Sequence, residues 1–195
     1  MRTISPLALH HNQTAAAFVG GFTTVELMVT IAILAILSAL AAPSFTNLFN
    51  SWRVRQVTEA LQHSLYLARS EAIKRSGNVV VQKLSDETNG CTQATGHKDW
   101  GCGWLVCHDT NLNGRCDDED AVLHHITTPA PVHVTRSAAN DQGATRIKFD
   151  RWGKVAGTWP SFGVRPINQP DTDPAARRLC MGSGGRIRIA ATPTC

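Results

Sequence analysis

Charge is missing from Leu27 to Ala42, and Arg2 is the only basic residue ahead of that run. A secretory signal cleaved at the small residues Ser38 to Ala42 would carry a basic stretch directly before a shorter apolar segment, and it would not begin on an acid, as this run does at Glu26. The chain also lacks a paired C-x-x-C, which argues against a zinc site built from Cys102, Cys107, His108, Cys116, His124 and His125. Met181-Gly182-Ser183-Gly184 is not a nucleophile elbow, because the second glycine adjoins the serine, and no Ser, His and acid set can be assembled from spacing. The chain is therefore read as a non-enzyme without cofactor or metal. Repeats and low-complexity tracts are absent as well, so a solenoid or a disordered tail is excluded.

What is present begins with a long apolar segment. Counted from Phe22 it holds about 21 residues, or roughly 31 Å of helix, enough to cross a bilayer. An unpaired Glu26 inside hydrocarbon would cost on the order of 2.5 to 3.5 kcal/mol, so a partner for its carboxylate is expected. The remaining length, about 150 residues, suits one soluble domain. All six cysteines, Cys91, Cys102, Cys107, Cys116, Cys180 and Cys195, follow the apolar run. An even number on the exported side argues for disulfides in an oxidising compartment. Spacing leaves their connectivity open, and the working expectation pairs neighbours: Cys91 with Cys102, Cys107 with Cys116, Cys180 with Cys195.

Net charge is unevenly spread. Asp109 to Asp120 holds five acids and one arginine, whereas Ala121 to Cys195 holds ten Lys or Arg against four acids. A surplus of that size on the C-terminal half suggests an anionic partner.

Gly21, Phe22, Glu26 and Pro43 resemble the N-terminal signature of the type IV pilins and the type II secretion pseudopilins. The resemblance implies a leader over residues 1–21, removed by a prepilin peptidase that then methylates the amine of Phe22. It also implies that Glu26 pairs with the N-terminal amine of a neighbouring subunit. Residues 22–50 would be the transmembrane half of the first helix and residues 51–195 a periplasmic globular domain. The subunit would sit in the inner membrane as a single-pass protein and become extracellular once assembled with other pilins.

Beyond the span the helical pattern continues through Leu48, Trp52, Val57, Leu61, Leu65, Ala68 and Ala72, and Ser76-Gly77 supplies a stop. The period then falls to two. Strands are predicted over 78–84, 103–107, 121–127, 132–136, 145–149, 161–164, 178–181 and 186–190, separated by Pro, Gly, Asn and Asp. The fold class is α+β: a long N-terminal helix, transmembrane then amphipathic, packed on antiparallel sheets with disulfides. Trp100, Gly103 to Val106, Asp109, Asn111, Asn113-Gly114, Lys148 to Asp150 and Gly153 are similar to the minor pilins of the FimT and pseudopilin H (GspH) family.

Two clusters carry chemistry. In an extended strand Arg186 and Arg188 share a face about 6.5 to 7 Å apart, a step close to that between phosphates on one nucleic-acid strand. Guanidinium forks suit phosphate, and Gly184-Gly185 leave the backbone uncrowded. This stretch resembles the C-terminal basic motif of FimT proteins that bind DNA in natural transformation. Arg177, Arg178, Arg146 and Lys148 are candidates to extend the patch. The plainer alternative is that edge-strand arginines keep the edge soluble.

The second cluster is Asp109, Asn111, Asn113, Asp117 and Asp120. It matches the spacing of a calcium loop, but equally that of a solvated Asx-Gly turn. The function expected is a minor pilin that binds DNA non-specifically for uptake. The alternative is a pseudopilin or pilus-priming subunit whose partners are other pilins, and a calcium-stabilised tip adhesin is the third reading.

Overall fold

A computed structural model describes residues 21–128, 131–137, 142–157 and 159–195. The expected leader, apart from Gly21, lies outside them. The chain divides at Ala42 and Pro43 into two compact units.

In the first unit Thr23 starts helix α1 (Thr24–Lys74). Its Oγ1 accepts a hydrogen bond from the Glu26 N–H at 3.2 Å, and its carbonyl accepts from Leu27 N–H at 3.1 Å. This is an N-cap, with Glu26 at the third helical position of a Thr-x-x-Glu box, where a carboxylate also meets the positive end of the helix dipole. The side chains of Val25, Leu27, Met28, Ile31, Leu34 and Leu37 are exposed within the subunit. Among the described residues no single helix is long and apolar enough to cross a membrane, whereas Thr24–Leu40 and Phe45–Lys74 together are, by length and composition.

In the second unit α1 buries Val54, Val57, Leu61, Leu65, Ala68 and Ala72, while Leu48 and Trp52 are exposed. The helix ends where expected: Ser76 and Gly77 take positive φ, and Gly77 N–H bonds to the Ala72 carbonyl at 2.7 Å. Such a left-handed terminus satisfies carbonyls the helix leaves open.

Eight strands follow: β1 (Val79–Lys83), β2 (Gly103–His108), β3 (Ala121–Thr127), β4 (Val132–Ser137), β5 (Arg146–Phe149), β6 (Ser161–Pro166), β7 (Arg177–Met181) and β8 (Ile187–Ala190). They form two four-stranded sheets, β3-β2-β1-β5 and β4-β6-β7-β8. Every named pairing is antiparallel.

The apolar side of each strand meets the helix in one core, with Val79, Val81, Trp104, Val106, Ile147 and Phe149 from the first sheet and Val134, Phe162, Val164, Leu179 and Ile187 from the second. Two tryptophans lock this core by their polar ends. Trp104 Nε1 donates to Ser64 Oγ on the helix at 2.9 Å, and Trp100 Nε1 donates to the Ala144 carbonyl at 2.8 Å. Trp100 also meets Phe162 edge to face at 5.1 Å between centroids, a geometry favoured by the ring quadrupoles.

Disulfides join each cysteine to its neighbour in sequence: Cys91–Cys102, Cys107–Cys116 and Cys180–Cys195. The chain is thus α+β, a long helix with two antiparallel four-stranded sheets and three disulfides.

Candidate nucleic-acid interface

The C-terminal hairpin of β7 and β8 forms one edge of the second sheet. Its turn closes through Gly185 N–H to the Gly182 carbonyl and Gly182 N–H to the Arg186 carbonyl, both at 2.9 Å. Gly185 has φ +75° there, a conformation that costs an L side chain energy. Because Ile187 is buried in the core, its flanking residues Arg186 and Arg188 are directed outward, and both are exposed. Arg188 faces Cys180 across the hairpin and donates from Nη2 to the main-chain oxygen of Cys195, so the Cys180–Cys195 disulfide holds its anchor. The Arg186 side chain has no ion-pair or hydrogen-bond partner among the described residues.

Arg178 shares this outer face, since it lies two residues from Cys180 on β7. Its guanidinium reaches Ser137 Oγ at 3.3 Å and lies 3.9 Å from Asp171 Oδ2. Arg165 on β6 holds the other oxygen of that carboxylate at 3.0 Å. One acid therefore serves two arginines, which leaves surplus positive charge. A cleft of about 560 Å³ opens on this face, lined by His133, Arg165, Asp171 and Arg178. Burial, with help from Arg165, holds the His133 imidazole below its usual pKa.

The other candidates lie elsewhere. Arg177 points away from Arg178, toward the helix side. There it donates to the carbonyls of Pro174 and Ala176 and lines a cleft with Arg55, Glu59 and Ile189. Arg146 and Lys148 are on β5, the edge of the other sheet. Arg146 borders a cleft of about 600 Å³ with Lys83, Asp86, His97 and Arg115. Lys148 Nζ rests over Gly114, where an added Cβ would come within 2.6 Å of it. The six basic residues thus occupy three faces: Arg178, Arg186 and Arg188 share one, Arg146 and Lys148 share the outer side of β5, and Arg177 lies on the helix side.

Four residues that sequence reasoning passed over belong beside this hairpin. Arg69 of α1 runs from Gly153, where an added Cβ would lie 2.7 Å from its Cγ, to Gly185, where an added Cβ would overlap its guanidinium. The loop that carries Gly153 displays Arg151, Trp152 and Lys154, with Arg151, Trp152 and Lys154 all exposed. An aromatic residue between two basic ones, in Arg-Trp-Gly-Lys, was the signal available for it.

A family model described as type II transport protein GspH matches residues 57–185, from the middle of α1 to the turn before β8. The chain belongs to the GspH family. Arg186 and Arg188 fall just beyond the matched residues. The fold is similar to that of the type IV minor pilin FimU of Pseudomonas aeruginosa. In one crystal form the TM-score is 0.51 at 22% identity over 70% of this chain and 91% of FimU. In a second form the TM-score is 0.52, again at 22% identity, over 70% of this chain and 87% of FimU. The minor pseudopilin EpsH of Vibrio cholerae aligns with a TM-score of 0.46 at 13% identity, over 71% of this chain and 96% of EpsH. No curated protein sequence gives a match. The fold is thus shared with a type IV minor pilin.

In this GspH-family chain the acidic loop between β2 and β3 is internally bonded. Asp109 Oδ2 accepts from Gly114 N–H at 2.7 Å, Asp120 Oδ1 accepts from Thr110 N–H at 2.8 Å, and Asp117 Oδ2 accepts from Asn111 Nδ2 at 3.1 Å and Asn113 Nδ2 at 2.5 Å. The amide donors of Asn111 and Asn113 hold the Asp117 carboxyl below the usual carboxylate range. Among the described residues no group of three His, Cys, Asp or Glu side chains is placed to hold a metal ion. The cysteines of the Cys and His set are in disulfides, and His124 meets His63 edge-on at 5.8 Å. At the expected processing site Gly21 has no neighbour within 4 Å of an added Cβ, and Phe22 is 85% exposed.

Proposed function

We propose that this protein is a minor pilin that binds the phosphate backbone of DNA through Arg178, Arg186 and Arg188 and serves DNA uptake. The observation that carries this reading is the edge strand β8, where two exposed arginines flank a buried Ile187 on the face already occupied by Arg178. A row of guanidinium groups at strand spacing matches phosphate spacing, and such contacts position a duplex without reading its sequence. The apolar helix supports assembly. Cleavage after Gly21, methylation of Phe22 by the prepilin peptidase and pairing of Glu26 with a neighbouring subunit's amine would take the chain from the inner membrane into a filament with other pilins.

A second reading is favoured by the family description itself, which is that of a type II transport protein. Here the subunit would act in a secretion pseudopilus and bind only fellow subunits. Gel-shift titration of the full chain at low salt separates the two. The DNA reading expects Arg186→Gln with Arg188→Gln to weaken binding while leaving the melting temperature unchanged. Wild-type affinity no higher than that of a charge-matched control protein would favour the secretion reading.

A further inference from the structure

Trp152 is 71% exposed and Trp52 on α1 is 60% exposed, whereas Trp100 and Trp104 are fully buried and Trp159 is 37% exposed. Basic neighbours in its own loop set Trp152 apart. The loop from Asp150 to Lys154 is closed and rigid. Asp150 N–H bonds to the Lys154 carbonyl, and the Asp150 Oδ1 accepts from both Trp152 N–H and Lys154 N–H, all at 2.9 Å. The backbone of Arg151 packs against Gly77, where an added Cβ would lie 3.2 Å from the Arg151 nitrogen. The backbone that carries Trp152 is therefore held in place.

Asp150 directs its carboxylate to main-chain donors, and neither Arg151 nor Lys154 has an ion-pair partner among the described residues. The Arg69 side chain spans from Gly153 in this loop to Gly185, one residue before Arg186. Arg69 thus links the loop that carries Trp152 to the hairpin turn, and the basic residues Arg151, Lys154, Arg69 and Arg186 belong to these linked segments.

We infer that Trp152 is a stacking platform for an unpaired base, and that Arg151, Lys154, Arg69 and Arg186 carry the flanking phosphates of a single strand. This deepens the nucleic-acid reading of the Arg186 face and rests on it. In a duplex the bases are already stacked on one another, so only the phosphate contacts remain available. A single strand gains both phosphate contacts and the stacking surface. A second copy of this chain is a poorer occupant, because it would bring the same positive charges to the patch. An acidic protein partner would use the charges, whereas a single strand joins a base to every phosphate and so meets the indole and the charges with one repeating unit.

The test compares a fluorescent oligothymidylate of about 20 nucleotides with a duplex of the same length, using the full chain in detergent micelles at one salt concentration. Trp152→Ala should weaken single-strand binding about tenfold, and leave duplex binding within about twofold, as expected for the loss of one base-stacking contact. Trp152→Phe, which keeps a ring, should restore most of the affinity. The oligothymidylate should quench tryptophan emission in the wild type and much less in Trp152→Phe. Equal losses on both substrates, or no loss on either, would overturn the stacking role while the Arg186 reading stands. If wild-type protein binds neither substrate above a charge-matched control, the underlying nucleic-acid reading fails and the platform with it.

Discussion

The guanidinium of Arg69 lies against the backbone of Gly185, so that a Cβ at that position would occupy the same space. A helix residue thereby fixes the turn from which Arg186 projects. Gly185 also has φ +75°. Gly185→Ala should cost about 1 to 2 kcal/mol from backbone strain alone, seen as a melting temperature lower by several degrees. Combining it with Arg69→Ala should cost less than the two single changes added, because both act on one contact. A strictly additive double mutant would show that the two residues are not coupled.

Ser64 is the buried link between helix and sheet. Its Oγ accepts from Trp104 Nε1 and donates to the Ala60 carbonyl at 3.0 Å. Ser64→Ala leaves the indole N–H buried without a partner, which costs about 1 to 3 kcal/mol. Denaturant unfolding followed by tryptophan fluorescence measures it, and an unchanged midpoint would contradict the link.

Stability should fall in mild acid. Burial lowers the pKa of His133, and burial with the nearby His63 and His125 lowers that of His124, each from the ordinary 6.5. Below 6.5 the unfolded chain takes up protons that the folded chain does not. The stability these neutral imidazoles allow is complete above 6.5 and is lost as the pH falls from 6.5 toward their folded values. His133→Gln should flatten the melting temperature against pH in that window, and an unaltered profile would rule His133 out as a contributor.

Reduction of the C-terminal disulfide should act on both stability and site. Cys180 and Cys195 are 15 residues apart, and cross-linking a loop of that size contributes about 3 kcal/mol in the chain-entropy account. Cys180→Ser with Cys195→Ser should lower the melting temperature and free the main-chain oxygen that holds Arg188. Retained stability in the double mutant would mean the tail is anchored by its other contacts.

The strands were legible because apolar and polar residues alternate at period two. Val132–Ser137 shows this and also its exception. Arg136 sits at an inward position, where its guanidinium donates to the carbonyls of Gly143 and Arg146 and lies 5.9 Å from the Trp100 ring. Burial lowers its pKa to about 10. Nothing in the alternation signals such a residue, because its partners lie outside its strand, in the segment leading into β5 and at Trp100. The helical stripe was read back to Leu48 and Trp52, yet both are exposed, since sequence periodicity marks an apolar face without showing how far a sheet covers it.

The basic site was legible only in part. Alternation placed Arg186 and Arg188 together, because it depends on neighbours in one strand. It could not separate Arg177 from Arg178, whose directions follow from the register of Cys180 opposite Arg188. Nor could it show that Lys148 turns to Gly114 or that Arg69 reaches Gly185, which are contacts between segments far apart in the chain.

The most direct test of the DNA-binding account is the salt dependence of duplex affinity, measured by fluorescence anisotropy for the wild type and for Arg186→Gln with Arg188→Gln. Contacts from Arg178, Arg186 and Arg188 to three phosphates predict a log-log slope of about −3 for the wild type, reduced in magnitude by about 2 in the double mutant. Identical slopes and affinities for the two proteins would contradict it.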